Sequence, residues 1–149
     1  MNTALEKIAT PCLCGTLRKA VRHLSLAYDE AMAPLGINAG QFSLLVAVHR
    51  EGGEPYAMGE LAEVLVMDRS TLGHNLRPLE RDGLVRFEPS PLDARRRLVV
   101  LSAKGKAVLK AGEPLWDGVN TRCKARYGAK KSEALVAALR ELTLLDIAA

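Results

Sequence analysis

The chain has few aromatic rings: one tryptophan, three tyrosines and two phenylalanines among 149 residues. That supply is too thin to stack single-stranded nucleic acid base by base, so a nucleic-acid partner would be a duplex. No apolar run approaches the ~20 residues that a membrane-crossing helix needs. The segment Met1 to Cys14 carries Glu6 and Lys7 and lacks the apolar stretch of a secretory leader. A cytoplasmic protein with no membrane partner is therefore expected. Three cysteines, Cys12, Cys14 and Cys123, are odd in number and too sparse for a disulfide framework. They are free thiols, reactive thiols or metal ligands. His23, His49 and His74 are too scattered to suggest zinc. Only His23 lies near a cysteine, and no acid is spaced to orient it, so the chain is not expected to be an enzyme and requires no cofactor.

What is present suits one domain over residues 1–149: a hydrophobic share of 48% with 26% charged residues can bury a sizeable core. From Gly15 to Met32, Leu17, Ala20, Val21, Leu24, Ala27, Tyr28 and Ala31 keep the spacing of a helix with one apolar face. Pro34 and Gly36 end it. Asn38 is the expected N-cap of a second helix holding Phe42, Leu45 and Val46, closed by Gly52 and Gly53. A short helix is predicted over Gly59 to Leu65, and another over Arg69 to Arg81, capped by Asp68 and bent near its end by Pro78. Past Gly83 the period changes from helix to strand. Leu84 to Glu88 and Leu98 to Leu101 read as a hairpin whose tip carries Arg95, Arg96 and Arg97. Ser102 caps a long helix to about Tyr127, with a kink at Pro114, and a last amphipathic helix uses Leu135, Val136, Leu139, Leu142 and Leu145. The fold class is mainly α with a small β-hairpin.

Two helices joined at Val66 to Asp68 make a helix-turn-helix, whose second helix can enter a major groove. Its outward residues are Arg69, Ser70, Thr71, His74, Asn75 and Arg77, side chains able to bond phosphates and base edges, while its leucines face the other way. A solvated polar face would look the same. The hairpin tips the balance, because three consecutive arginines repel one another without benefit to the fold, and a duplex backbone or minor groove supplies the anion that offsets this. Asp93 is expected to pair with Arg95, leaving Arg96 and Arg97 freer. The net charge of +4 concentrates here: Arg69 to Arg97 contains seven arginines against four carboxylates.

These residues carry a resemblance. Leu61, Met67, Asp68, Arg69, Ser70, Thr71 and Leu72, then Asn75, Leu76, Leu79, Glu80, Gly83, Leu84 and Val85, resemble the MarR family of bacterial winged helix-turn-helix regulators. The likeness continues through Asp93, Arg95, Arg96, Leu101, Ser102, Lys104 and Gly105, and upstream through Pro34, Leu35, Gly36, Ile37, Gln41 and Phe42. It covers about the first 115 residues. The resemblance implies a winged DNA-binding lobe over 38–101, a helical dimerisation region from 1–37 and 102–149, and a homodimeric repressor of transcription. It makes Arg96 the best minor-groove arginine, with Arg95 braced on Asp93. Apolar faces on the last two helices, wider than the lobe could cover, point independently to a partner chain. A twofold dimer would place its recognition helices about one turn (~34 Å) apart on a pseudo-palindromic operator. A winged-helix protein-interaction module without DNA binding is the alternative.

Three signals suit such a regulator. In the implied dimer, Cys12 and Cys14 of one chain approach Cys123 of the other, where Lys19, Arg22, Arg122, Lys124 and Arg126 would favour a thiolate open to oxidation. The family's organic hydroperoxide sensors place their reactive cysteine at Cys14 and a tyrosine that bonds it at Tyr28; their second tyrosine is Arg18 here. The same three sulfurs could hold a soft metal or metalloid. A small aromatic acid could sit among Tyr28, Phe42 and Trp116, with Arg18 or His23 meeting its carboxylate. The bland alternative is that the thiols and rings only pack.

Overall fold

The computed structural model describes residues 12–50 and 53–147. The stretch before Cys12, and Gly52 of the expected helix terminator, lie outside the described residues. Among the described residues six α-helices and one hairpin follow in order: α1 (Leu13–Met32), α2 (Ala39–Val48), α3 (Met58–Val64), α4 (Arg69–Arg81), β1 (Val85–Pro89), β2 (Arg97–Leu101), α5 (Ala103–Tyr127) and α6 (Ala129–Thr143). The mainly α class with a small hairpin is observed. Among the described residues no single helix is long and apolar enough to cross a membrane.

Local chemistry sets the boundaries. Helix α1 starts two residues before Gly15 because the Cys12 thiol accepts the Gly15 N–H at 3.2 Å and caps it. It ends through the 3-10 turn Ala33–Leu35, where Gly36 takes φ 71°, a left-handed value that a side chain would disfavour. Asn38 and Gln41 then exchange reciprocal hydrogen bonds of 2.8 and 2.9 Å at the start of α2, a capping box. Asp29 accepts the Ala39 N–H at 2.7 Å and ties the end of α1 to that start. Helix α4 runs through Pro78 as far as Arg81.

Helix α2 is buried on more than one side, at Phe42, Leu44, Leu45 and Val48, and forms the floor of the core. Leu61, Leu72, Leu76, Leu79, Val85 and Val99 pack over it with almost no exposure. The hairpin pairs antiparallel from Val85↔Leu101 to Pro89↔Arg97. The segment before α3 is pinned beside it by one isolated bridge, Ala57↔Leu98, and by the Val99 N–H donated to the Tyr56 carbonyl at 2.9 Å. Pairing with Pro89 draws Arg97 into β2, so it begins the strand instead of standing at the tip as expected.

Helix α5 crosses this unit closely. A Cβ at Gly105 would fall on the Leu84 carbonyl oxygen, and one at Gly112 on the Phe42 ring. The flanking helices are much less covered: α1 buries only Met32, and α6 buries no residue. Leu13, Val21, Leu24 and Leu26 on α1, and Leu135, Val136 and Leu145 beyond, are 44 to 70% exposed.

Candidate nucleic-acid interface

The amphipathic pattern of α4 is realised in space. Leu72, Leu76 and Leu79 are buried, while Arg69, Ser70, Thr71, His74 and Arg77 are exposed and Asn75 is half-buried. Asp68 fixes the helix start: one carboxylate oxygen accepts the Thr71 N–H at 2.8 Å and the other accepts the Thr71 hydroxyl at 2.6 Å. These bonds hold the Asp68 carboxyl below its ordinary value, the Thr71 hydroxyl contributing most. They also commit the only proton of the Thr71 hydroxyl, leaving that oxygen as an acceptor toward an outside partner. The Arg69 guanidinium folds back over Gly59, where a Cβ would stand 3.1 Å from its Cζ. Ser70, His74 and Arg77 present the least encumbered polar face. The turn before α4 holds Val66 at φ 52°, an uncommon left-handed setting for a β-branched residue.

At the wing the expected pairing is corrected. Asp93 does not hold the Arg95 guanidinium; its carboxylate accepts the Arg95 backbone N–H at 2.9 Å, and its carbonyl accepts the Arg96 N–H at 2.9 Å. A short carboxylate reaches its own turn more easily than a neighbouring guanidinium, so Asp93 shapes the tip backbone. Among the described residues Arg95 has no carboxylate partner. Arg96, expected to be free, is ion-paired with Glu60 of α3. Arg97 lies over the Phe87 ring, 5.4 Å from its centroid, a cation–π placement. The sequence reading missed Glu60, whose partner lies 36 residues away. It also missed Arg50, which sits 4.4 Å over the Tyr56 ring.

The sensing candidates are dispersed within one chain. Cys12 and Cys14 are exposed at the start of α1, and Cys123 is half-buried late in α5. Tyr28, near the far end of α1, has its phenol pushed above its ordinary value, first by burial and then by the charge of Cys123. Cys14 and Tyr28, fourteen residues apart on one helix, stand about 21 Å apart along its axis, so any Cys14–Tyr28 contact needs two chains. Among the described residues no group of three His, Cys, Asp or Glu could hold a metal, so a three-sulfur site also needs two chains.

The expected ligand residues divide in the same way. Trp116 packs on Tyr28 at 4.2 Å and on Phe42 at 5.0 Å between ring centroids, spacings that admit no ring between them. Arg18 instead lines a separate groove of about 630 Å³ with Leu13, Cys14, Leu17, Val21 and Leu142. His23 is exposed on α1.

A core-anchored helix after a tight turn, flanked by an arginine-bearing hairpin, defines a winged helix-turn-helix domain. A model of the MarR family matches residues 35–96. The MosR transcriptional regulator of M. tuberculosis, solved in complex with DNA, is 37% identical, with a TM-score of 0.73 over 91% of this chain and 100% of that one. The chain belongs to the MarR family. Transcriptional regulator HosA of Escherichia coli O111:H- is 35% identical over 82 residues, which are 55% of this chain; the match spans 61% of HosA's length. The HTH-type transcriptional repressor NicR of Pseudomonas putida is 28% identical over 85% of this chain and 78% of its own.

Proposed function

We propose that this chain is a cytoplasmic, homodimeric repressor that binds a pseudo-palindromic operator in double-stranded DNA, with 38–101 as its DNA-binding lobe and 1–37 and 102–149 as its dimerisation region. The observation that carries this reading is the α4 surface: an exposed polar face over three buried leucines, with an arginine-bearing wing beside it. The 37% identity to MosR, a protein solved on DNA, supports it. Ser70, Thr71, His74, Asn75 and Arg77 read or position the major groove, Arg69 and Arg95 meet phosphates, and Arg96 with Arg97 serves the minor-groove side. Anisotropy titration of its own upstream DNA tests this. Arg96→Ala is expected to weaken binding about tenfold and to flatten the salt dependence by about 0.9 per wing. No binding at low salt overturns the reading and favours a protein-docking module.

For the signal, exposure favours thiol chemistry. Cys12 and Cys14 are open to solvent, whereas the aromatic cluster is filled by its own rings. The Cys14 thiolate attacks a hydroperoxide oxygen and becomes a sulfenic acid as the alcohol leaves; the partner's Cys123 thiol then condenses with it, expelling water and leaving one disulfide. A second reading rests on the 630 Å³ groove, where Arg18 beside an apolar wall suits a small organic acid. Non-reducing electrophoresis after stoichiometric hydroperoxide separates them. A covalent dimer lost in Cys123→Ser supports oxidation. Unchanged mass with DNA release by an aromatic acid supports the groove, and a mass gain with arsenite supports the soft-metalloid alternative.

A further inference from the structure

Glu60 occupies the first turn of α3, and each of its carboxylate oxygens has a separate task. Oε2 accepts the Ala57 N–H at 2.9 Å and closes the helix start, while Oε1 accepts from Nη2 of Arg96 on the wing. The encounter is set by backbone. Ala57 bridges Leu98, and Tyr56 accepts from Val99, so the start of α3 is stitched to the strand that begins one residue after Arg96. The Ala57 N–H, and secondarily the Arg96 guanidinium, hold the Glu60 carboxyl below its ordinary value, which keeps it charged at neutral pH. Arg50 adds a further positive charge nearby. The pair is roughly half-exposed on both sides, and an ion pair in that setting is weak and exchangeable.

A carboxylate here is out of place on a surface meant for a polyanion. It repels phosphate and occupies the arginine best placed for the minor groove. We infer that Glu60 is a positioning residue that sets sequence preference through Arg96: it holds the guanidinium until a groove of stronger negative potential takes it. The inference rests on the DNA-binding reading above. On duplex of ordinary groove width, moving Arg96 from carboxylate to groove is nearly an even exchange, so the wing adds little. A-tracts narrow the minor groove and concentrate its negative potential, and there the exchange favours DNA. Glu60 thus subtracts more from binding to mixed sequence than from binding to A-tracts.

The test uses the full chain, an A-tract-rich duplex and a mixed-sequence duplex of equal length, titrated by anisotropy over a salt series. The wild type is expected to prefer the A-tract duplex. In Glu60→Gln the amide oxygen can still accept the Ala57 N–H, so the cap survives and thermal melting stays near that of the wild type. That variant is expected to tighten on mixed sequence about tenfold and on A-tracts about twofold, and its salt dependence should steepen by about 0.9 per wing on mixed sequence and little on A-tracts. In an Arg96→Ala background, Glu60→Gln is expected to leave the preference unchanged. Equal tightening on both duplexes with Arg96 present or absent would reduce Glu60 to simple charge repulsion and overturn the inference. So would a wild type indifferent to A-tracts. Failure of the wild type to bind either duplex at low salt instead removes the DNA-binding reading itself.

Discussion

The winged unit and the helices that flank it resolve their apolar surface in opposite ways. From α2 to β2, the leucines and valines at 61, 72, 76, 79, 85 and 99 find cover inside one chain and lie almost wholly out of water. On α1 and α6, and just past the end of α6, the same residue types stay exposed, Val21 at 60%, Val136 at 49% and Leu145 at 60%, although the helical spacing is as regular. The first region is covered within the chain; the second leaves an apolar stripe uncovered there. A second copy of the chain is the occupant proposed above, since twofold pairing would cover both stripes at once.

The widest separation between the regions is expected from truncation. Leu76→Ala removes a side chain with no exposure from the centre of the core. It should cost about 2 to 5 kcal/mol in denaturant unfolding, because the cavity adds to the lost transfer energy. That cost should not vary with protein concentration if it acts within the chain. Leu145→Ala, at 60% exposure, removes little buried area and should leave the single chain nearly unaffected. An equal loss in the two variants would erase the distinction.

A charge placed on the stripe sharpens the same contrast. Val21→Asp with Leu145→Asp is expected to convert a dimer into monomers in sedimentation, while the far-ultraviolet circular dichroism of the helices is retained. Operator affinity should fall at least tenfold, because two half-sites would no longer be bound by one linked unit. Thermal stability of the wild type should rise with protein concentration and that of the variant should not. A variant that stays dimeric would place the interface elsewhere.

How far each region was legible from sequence follows the range of its interactions. Helix α4 was readable because its three buried leucines, its Asp68 cap and its terminating Gly83 lie within sixteen residues of one another. The start of α1 was missed by two residues because a cysteine thiol, a poor hydrogen-bonding group, provides the cap. The wing was recognised, yet the contacts of its arginines were not. Arg96 reaches Glu60 only because the Ala57↔Leu98 bridge brings the start of α3 beside β2, and Arg97 is drawn into the ladder by its register with Pro89. Packing of Gly112 against Phe42 likewise joins residues 70 apart. Helical spacing reveals which face is apolar, but it does not reveal what lies against that face.

The smallest expected effect concerns the local chemistry that the winged unit keeps to itself. Asp68 has its carboxyl held below the ordinary value in the folded chain, first by the Thr71 hydroxyl and then by the Thr71 N–H. For a carboxylate depressed in this way, the stabilising contribution is complete above the unfolded value and is lost as pH falls through the folded one. Asp68→Asn keeps an acceptor for the Thr71 N–H but removes the charge, so its melting temperature should lie slightly below that of the wild type at neutral pH. The gap should close on acidification, as pH falls below the ordinary carboxylate range and through the depressed folded value at which the wild-type carboxyl takes up its proton. Because the cap and its donor belong to one helix turn, the gap should be the same in the dimer and in the Val21→Asp, Leu145→Asp monomer. A gap that widened in acid would contradict the sign of the linkage, and one present only in the dimer would move Asp68 from the self-contained region to the shared one.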